Sequence, residues 1–88
     1  MIVKIDKSLE KDLLKISDKT ILKKLHSVIV KIRNAKNLSE ISNLRKLKGY
    51  QNYYRIRIGK YRLGIVFENN SIEIIRLLHR KEIYRYFP

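Results

Sequence analysis

The chain contains no cysteine. A disulfide framework, a thiolate metal site and a cysteine nucleophile are therefore excluded. Proline occurs once and glycine three times. No glycine-rich loop of the phosphate-cradling type is present, and there are no linkers, repeats or low-complexity tracts. Acidic side chains are scarce as well: eight Asp and Glu stand against 21 Lys and Arg. No Asp follows Asp18, and Glu40, Glu68, Glu73 and Glu82 are scattered. A nuclease built on clustered carboxylates and two metal ions is not expected, and no metal site or cofactor is called for. No apolar run approaches the length of a membrane span. The opening residues include Lys4, Asp6, Lys7, Glu10, Lys11 and Asp12, which do not resemble a secretory leader. The expectation is a soluble cytoplasmic protein with no membrane partner.

What the chain has in abundance is positive charge. The formal net charge is +13, which calls for a polyanionic partner: nucleic acid, an acidic protein, or both. The two kinds of cation are unevenly placed. Residues 1–43 carry nine Lys and a single Arg, Arg33, whereas residues 44–88 carry four Lys and Arg45, Arg55, Arg57, Arg62, Arg76, Arg80 and Arg85. Lysine is a solvated point charge, while the planar fork of arginine matches a phosphate. All six tyrosines also follow Gly49. The second half reads as the working half.

Eighty-eight residues make one domain, spanning 1–88, and a hydrophobic content of 44% suffices for a small core. Met1 to Asp6 alternates as a strand, with Val3 and Ile5 facing inward. Ser8 can cap a helix through Lys15, with Leu9, Leu13 and Ile16 at helical spacing. Ser17-Asp18 breaks it and caps a longer helix, whose stripe is Ile21, Leu22, Leu25, Val28, Ile29 and Ile32. Lys19, Lys23, Lys24 and Lys31 fall largely outside that stripe, and both helices read as scaffold. Leu38 to Ile41 suits a short helical turn, and Leu44 to Gly49 extends toward a sheet. Asn69-Asn70 suits a tight turn, because asparagine tolerates positive φ. Ser71 to Leu78 is a further strand, and Lys81 to Phe87 a short terminal segment. The fold class is α+β: an N-terminal strand and two antiparallel helices packed on one face of a small, mainly antiparallel sheet, leaving the other face for a ligand.

The most informative stretch is Tyr53 to Phe67. Tyr54, Ile56 and Ile58 alternate with Tyr53, Arg55 and Arg57, and after Gly59-Lys60 the series Tyr61, Leu63, Ile65, Phe67 alternates with Arg62, Gly64 and Val66. Period-two alternation about a glycine-bearing turn marks a hairpin. It places Arg55, Arg57 and Arg62 on one polar face, where three guanidinium groups repel one another unless an anion sits among them. His26 lies within the second helix and reads as structural. His79, at the end of the last strand beside Arg80, could perform acid–base work near neutral pH or could simply hydrogen-bond to backbone. Tyr84 and Tyr86 flank Arg85. Aromatics interleaved with arginine suit single-stranded RNA, although Tyr84 and Phe87 could equally pin the C-terminal segment to the sheet.

Three motifs together carry a resemblance: Leu47-Lys48-Gly49, then Tyr54-Arg55-Ile56-Arg57-Ile58-Gly59-Lys60-Tyr61-Arg62, then His79-Arg80-Lys81-Glu82-Ile83-Tyr84. They resemble the RelE/ParE toxin superfamily, and element order and length are similar end to end. The direct His79-Arg80 step and the spacing to Tyr84 favour the RelE branch over its gyrase-poisoning ParE sister. The resemblance implies the toxin of a type II toxin–antitoxin system, a ribosome-dependent endoribonuclease that cleaves mRNA without a metal. It further implies that Arg55, Arg57, Arg62, His79, Arg80 and Tyr84 are the catalytic candidates, with Lys48, Tyr53, Lys60, Lys81 and Arg85 as RNA contacts. Arg55 and Arg57 stand where some relatives carry lysine, and Gln51 and Asn52 stand where others carry a glutamate base. The general base thus stays open, with His79 the one side chain of suitable natural pKa. The implied partners are a small acidic antitoxin, joined in a hetero-oligomeric complex, and the ribosome with its mRNA. A gyrase-directed toxin and a non-catalytic nucleic-acid-binding module are the alternative readings.

Overall fold

Strand β1 (Ile2–Ile5) opens the computed structural model, which describes residues 1–88. Helix α1 (Lys7–Leu14) follows at once. Its cap is Asp6, whose carboxylate accepts the Ser8 N–H at 2.9 Å. Ser8, expected from the sequence as the cap, is instead the donor. A carboxylate suits the place better, since it meets both an orphan N–H and the positive end of the helix dipole. Helix α2 (Lys19–Asn34) starts at Asp18 as expected, with the Thr20 and Ile21 N–H groups donating to its side chain at 2.9 and 3.4 Å. A 3-10 turn (Leu38–Glu40) leads to strands β2 (Leu44–Lys46), β3 (Tyr53–Ile58), β4 (Tyr61–Glu68) and β5 (Ser71–His79), and the chain ends on the short helix α3 (Ile83–Tyr86).

The five strands form one sheet in the order β1-β5-β4-β3-β2. All neighbours are antiparallel except β1 and β5, which run parallel. The turns follow the side-chain chemistry: Gly59, Asn69 and Asn70 hold φ of 58°, 50° and 58°, the left-handed region open to glycine and asparagine. Leu9 of α1 and Ile21, Leu25 and Ile32 of α2 meet Ile56, Ile58, Leu63, Ile65, Ile72, Ile74 and Leu77 in a single core. Each such side chain, fully buried, contributes about 1.5–3 kcal/mol of transfer free energy. Tyr54 and Tyr61 pack at its margin. Ile5, expected to face inward, is 51% exposed because β1 is an edge strand, while Val3 does pack on the core.

Two features of β5 position everything around it. First, the β4–β5 register shifts by one residue between Gly64 and Ile65: Ile65 faces Ile74, but Gly64 faces Arg76. Ile75 is the extra residue of a β-bulge, so Ile74 and Leu77 both point into the core although they are three apart. Second, β1 ends before β5 does. Beyond Ile74, whose carbonyl accepts the Asp6 N–H at 2.9 Å, α1 takes over the sheet edge. Its Asp12, 4% exposed, accepts the Leu77 N–H at 3.0 Å and a bidentate pair from Arg76 Nε and Nη2 at 2.8 and 2.9 Å. That hydrogen bond with Asp12 raises the Arg76 guanidinium above its ordinary pKa.

The face away from α1 and α2 is only partly open. Phe87 lies across Gly64 so closely that a Cβ there would stand 2.7 Å from its ring. Phe87 also meets Tyr53, with ring centroids 5.6 Å apart, and Ile83 is fully buried. The C-terminal segment is therefore docked on the sheet through Phe87, one of the two roles the sequence left open for it, whereas Tyr84 takes no part in the pinning. The physical reason is that Gly64 has no side chain, which lets the Phe87 ring lie directly on the strand.

Candidate functional site

The hairpin alternation places the arginines as expected. Arg57 of β3 pairs with Arg62 of β4, and Arg55 pairs with Gly64, all on the face that carries α3. Arg45 of β2 lies opposite Arg55 on the outer side. Together with Asn43, Leu44 and Tyr84, the four arginines Arg45, Arg55, Arg57 and Arg62 line a cavity of about 510 Å³. The Arg55 guanidinium lies 4.5 Å from the centroid of the Tyr84 ring, a cation–π contact. Tyr84 is otherwise 76% exposed, so its ring is presented to solvent beside the arginines while Phe87 and Ile83 do the pinning.

Arg62 is the inner member. One of its terminal nitrogens donates to the carbonyls of Gly59 and Tyr61 at 3.0 and 2.9 Å. Burial pushes its pKa below the ordinary value, Arg57, Arg80 and Arg55 push it further down, and Tyr84 opposes them. Arginine stays charged across the accessible pH range. The sign is informative: a cation whose folded pKa is depressed opposes folding at neutral pH, and an anion in the cavity removes that cost. Arg80 holds its place through its own N–H, which donates to the Lys60 carbonyl at 2.8 Å. It lines an adjoining cavity with Arg57 and Arg62 rather than the first one.

The remaining candidates are dispersed. His79 pairs across the ladder with Tyr61, its ring edge-on to that tyrosine at 5.8 Å, and its Nδ1 accepts the Lys81 N–H at 3.2 Å. The bulge sets this placement, turning His79 to the helix-bearing side while Leu78 takes the position opposite Arg62. Tyr53 has Tyr50 on one side and Phe87 on the other, each at 5.6 Å. Lys48, Lys60, Lys81 and Arg85 are exposed at loops, at the hairpin turn and on α3, outside the arginine cavity. No group of three or more His, Cys, Asp or Glu side chains is placed to hold a metal ion. His26 is exposed on α2. Sequence reasoning missed Asn43, Leu44 and Arg45. The signals were faint: Asn43 adopts φ of 61°, which asparagine tolerates, and Arg45 sits in a three-residue strand too short to show a period.

The family described as ParE toxin of type II toxin-antitoxin system, parDE, matches residues 3–84, and the chain belongs to it. It is 45% identical over 69 residues to Toxin RelE3 of Methanocaldococcus jannaschii, covering 77% of this chain and 78% of that one. Among solved structures, the RelB-RelE antitoxin-toxin complex from Methanococcus jannaschii contains a chain with a TM-score of 0.82 and 40% identity, over 97% of this chain and 99% of that one. The YoeB dimer from Staphylococcus aureus shares the fold at a TM-score of 0.72 and 24% identity, over 91% of this chain and 97% of that one.

Proposed function

We propose that this toxin cleaves mRNA on the ribosome by metal-independent attack of a 2′-hydroxyl on the adjacent phosphate. The observation that carries the reading is the cavity itself: four arginines and a tyrosine phenol, with no carboxylate among the lining side chains. Such a lining matches a phosphate that gains charge on the way to a phosphorane. In the step, the 2′-oxygen–phosphorus bond forms and the phosphorus–5′-oxygen bond breaks. The 2′-hydroxyl proton passes to water, and the leaving 5′-oxygen takes a proton from Tyr84, the one lining residue with a hydroxyl to give. Arg62, held by the turn carbonyls, and Arg57 beside it clamp the non-bridging oxygens. Arg55 keeps Tyr84 in place, and Arg80 adds charge from the adjoining cavity. His79 acts as a support for Tyr61 and the turn after β5, outside the chemistry.

The identity to RelE3 supports the RelE reading over a gyrase-directed one, and the net charge supports an acidic antitoxin that masks the arginine face in a hetero-oligomeric complex. The test is the chemistry of the RNA ends. Cleavage on translating ribosomes is expected to leave a 2′,3′-cyclic or 3′-phosphate with a 5′-hydroxyl. His79→Gln should lower thermal stability and leave the per-molecule rate within a few-fold. Ends carrying a 3′-hydroxyl would rule the mechanism out, and DNA breaks with gyrase instead of RNA cleavage would install the ParE-type reading.

A further inference from the structure

The α2 helix reads from sequence as scaffold, yet its polar flank is built into a second cationic cavity. Lys23, Lys24 and Lys31 line, with Arg57, Arg62 and Arg80, a space of about 660 Å³ between α2 and the β3–β4 turn. The turn is pressed onto the helix: a Cβ at Gly59 would meet Ile21 Cδ1 at 3.3 Å and the Lys24 ammonium at 4.0 Å. No Asp or Glu is among the lining residues. Six like charges around one cavity repel one another, and none is offset by an acid of this chain there. The cavity shares Asn43, Arg57 and Arg62 with the arginine cavity beneath Tyr84. The two are therefore halves of one cationic path that crosses the Arg57–Arg62 pair. From Lys24 to Lys31 the helix rises about 10 Å, so the path extends well beyond the space a single phosphate fills.

We propose that this flank of α2 is a second binding tract for RNA, holding backbone phosphates of the strand that leaves the arginine cavity. The proposal rests on the cleavage reading for the direction of the strand, and on the shared lining residues for its continuity. Lysine fits this role: ammonium groups on flexible stems attract phosphates without fixing one geometry, whereas the guanidinium forks at the other end hold one phosphate in place. An acidic segment of a partner protein is the competing occupant of the same groove.

The experiment uses the triple variant Lys23→Gln/Lys24→Gln/Lys31→Gln and, at equal net charge, the control Lys4→Gln/Lys11→Gln/Lys15→Gln. Binding is measured by fluorescence anisotropy over a salt series, with 2′-O-methyl oligonucleotides that cannot be cleaved, one short enough to occupy only the arginine cavity and one several nucleotides longer. All six lysines are exposed, and thermal melts should match wild type. The α2 variant should bind the long oligonucleotide on the order of 10-fold more weakly, with the slope of log K against log[salt] reduced by about 2. It should bind the short one as wild type does and cleave ribosome-bound mRNA with unchanged kcat at a raised KM. An unchanged affinity and slope for the long oligonucleotide, or an equal loss in the control, overturns the proposal. So does a variant that loses affinity only for an acidic antitoxin. Wild type that binds the long oligonucleotide through these lysines but cleaves nothing overturns the cleavage reading and leaves the tract standing.

Discussion

The two faces of this sheet are written in the same strands and do opposite things. On one face Ile56, Ile58, Leu63 and Ile65 are buried under α1 and α2. On the other, their immediate neighbours Arg55, Arg57 and Arg62 crowd together, and Arg62 is depressed in pKa by burial and by that crowding. The first face stabilises the chain. On the second, the crowded arginines oppose folding slightly until an anion relieves them, while Ile83 and Phe87 bury apolar surface beside them. The contrast shows how a chain of 88 residues keeps stability and function apart: within β3 and within β4, successive residues are assigned in turn to one task and to the other.

That separation makes predictions. Arg62→Ala should break function most, lowering ribosomal mRNA cleavage by about 10²–10³. Its melting temperature should stay level or rise, because the charge that opposes folding is gone. A variant that unfolds would place Arg62 in the scaffold instead. Asp12→Ala should do the reverse. It strips the Leu77 N–H and Arg76 of their partner and should cost about 3 kcal/mol by denaturant melt, the low end for a broken buried pair because Arg76 keeps 24% of its side chain exposed. The surviving folded protein should cleave normally.

Gly64→Ala tests the seam between the two faces. Its Cβ would meet the Phe87 ring at 2.7 Å, so α3 must shift and carry Tyr84 away from Arg55. A stability loss of roughly 1–3 kcal/mol is expected from overpacking, together with a drop in cleavage that Phe87→Ala in the same chain partly restores. Restoration of stability without activity would remove Tyr84 from the chemistry. The smallest effect concerns acid. The Ser8 N–H and hydroxyl hold the Asp6 carboxylate below its ordinary pKa of 3.8. A depressed carboxyl lends stability that is present above the ordinary value and is lost as pH falls through the folded one. Asp6→Asn keeps a cap but has no proton to gain, so its melts should show a shallower acid limb than wild type, with neutral stability nearly unchanged.

Much of this was legible in the residues alone. Period-two alternation determined which side of β3 and β4 each residue takes, because the strand repeat admits no other reading once Ile56 and Leu63 must be buried. Asn69-Asn70 and Gly59 marked their turns, because only such residues accept positive φ cheaply. The spread of arginine and tyrosine marked the working half. The motif likeness named the family before any coordinate did. What the tertiary structure alone decided involves residues far apart in the chain. The bulge at Ile75 turns His79 away from Arg62, and no local pattern announces a single unpaired residue. Asp12 meets Arg76 across 64 residues only because β1 stops short and α1 fills the sheet edge. Phe87 finds Gly64, and α2 brings its lysines to the arginines, only after the sheet has closed. Sequence periodicity encodes which face a side chain takes within one element, whereas contacts between elements depend on where each one ends, and that is a property of the whole packed chain.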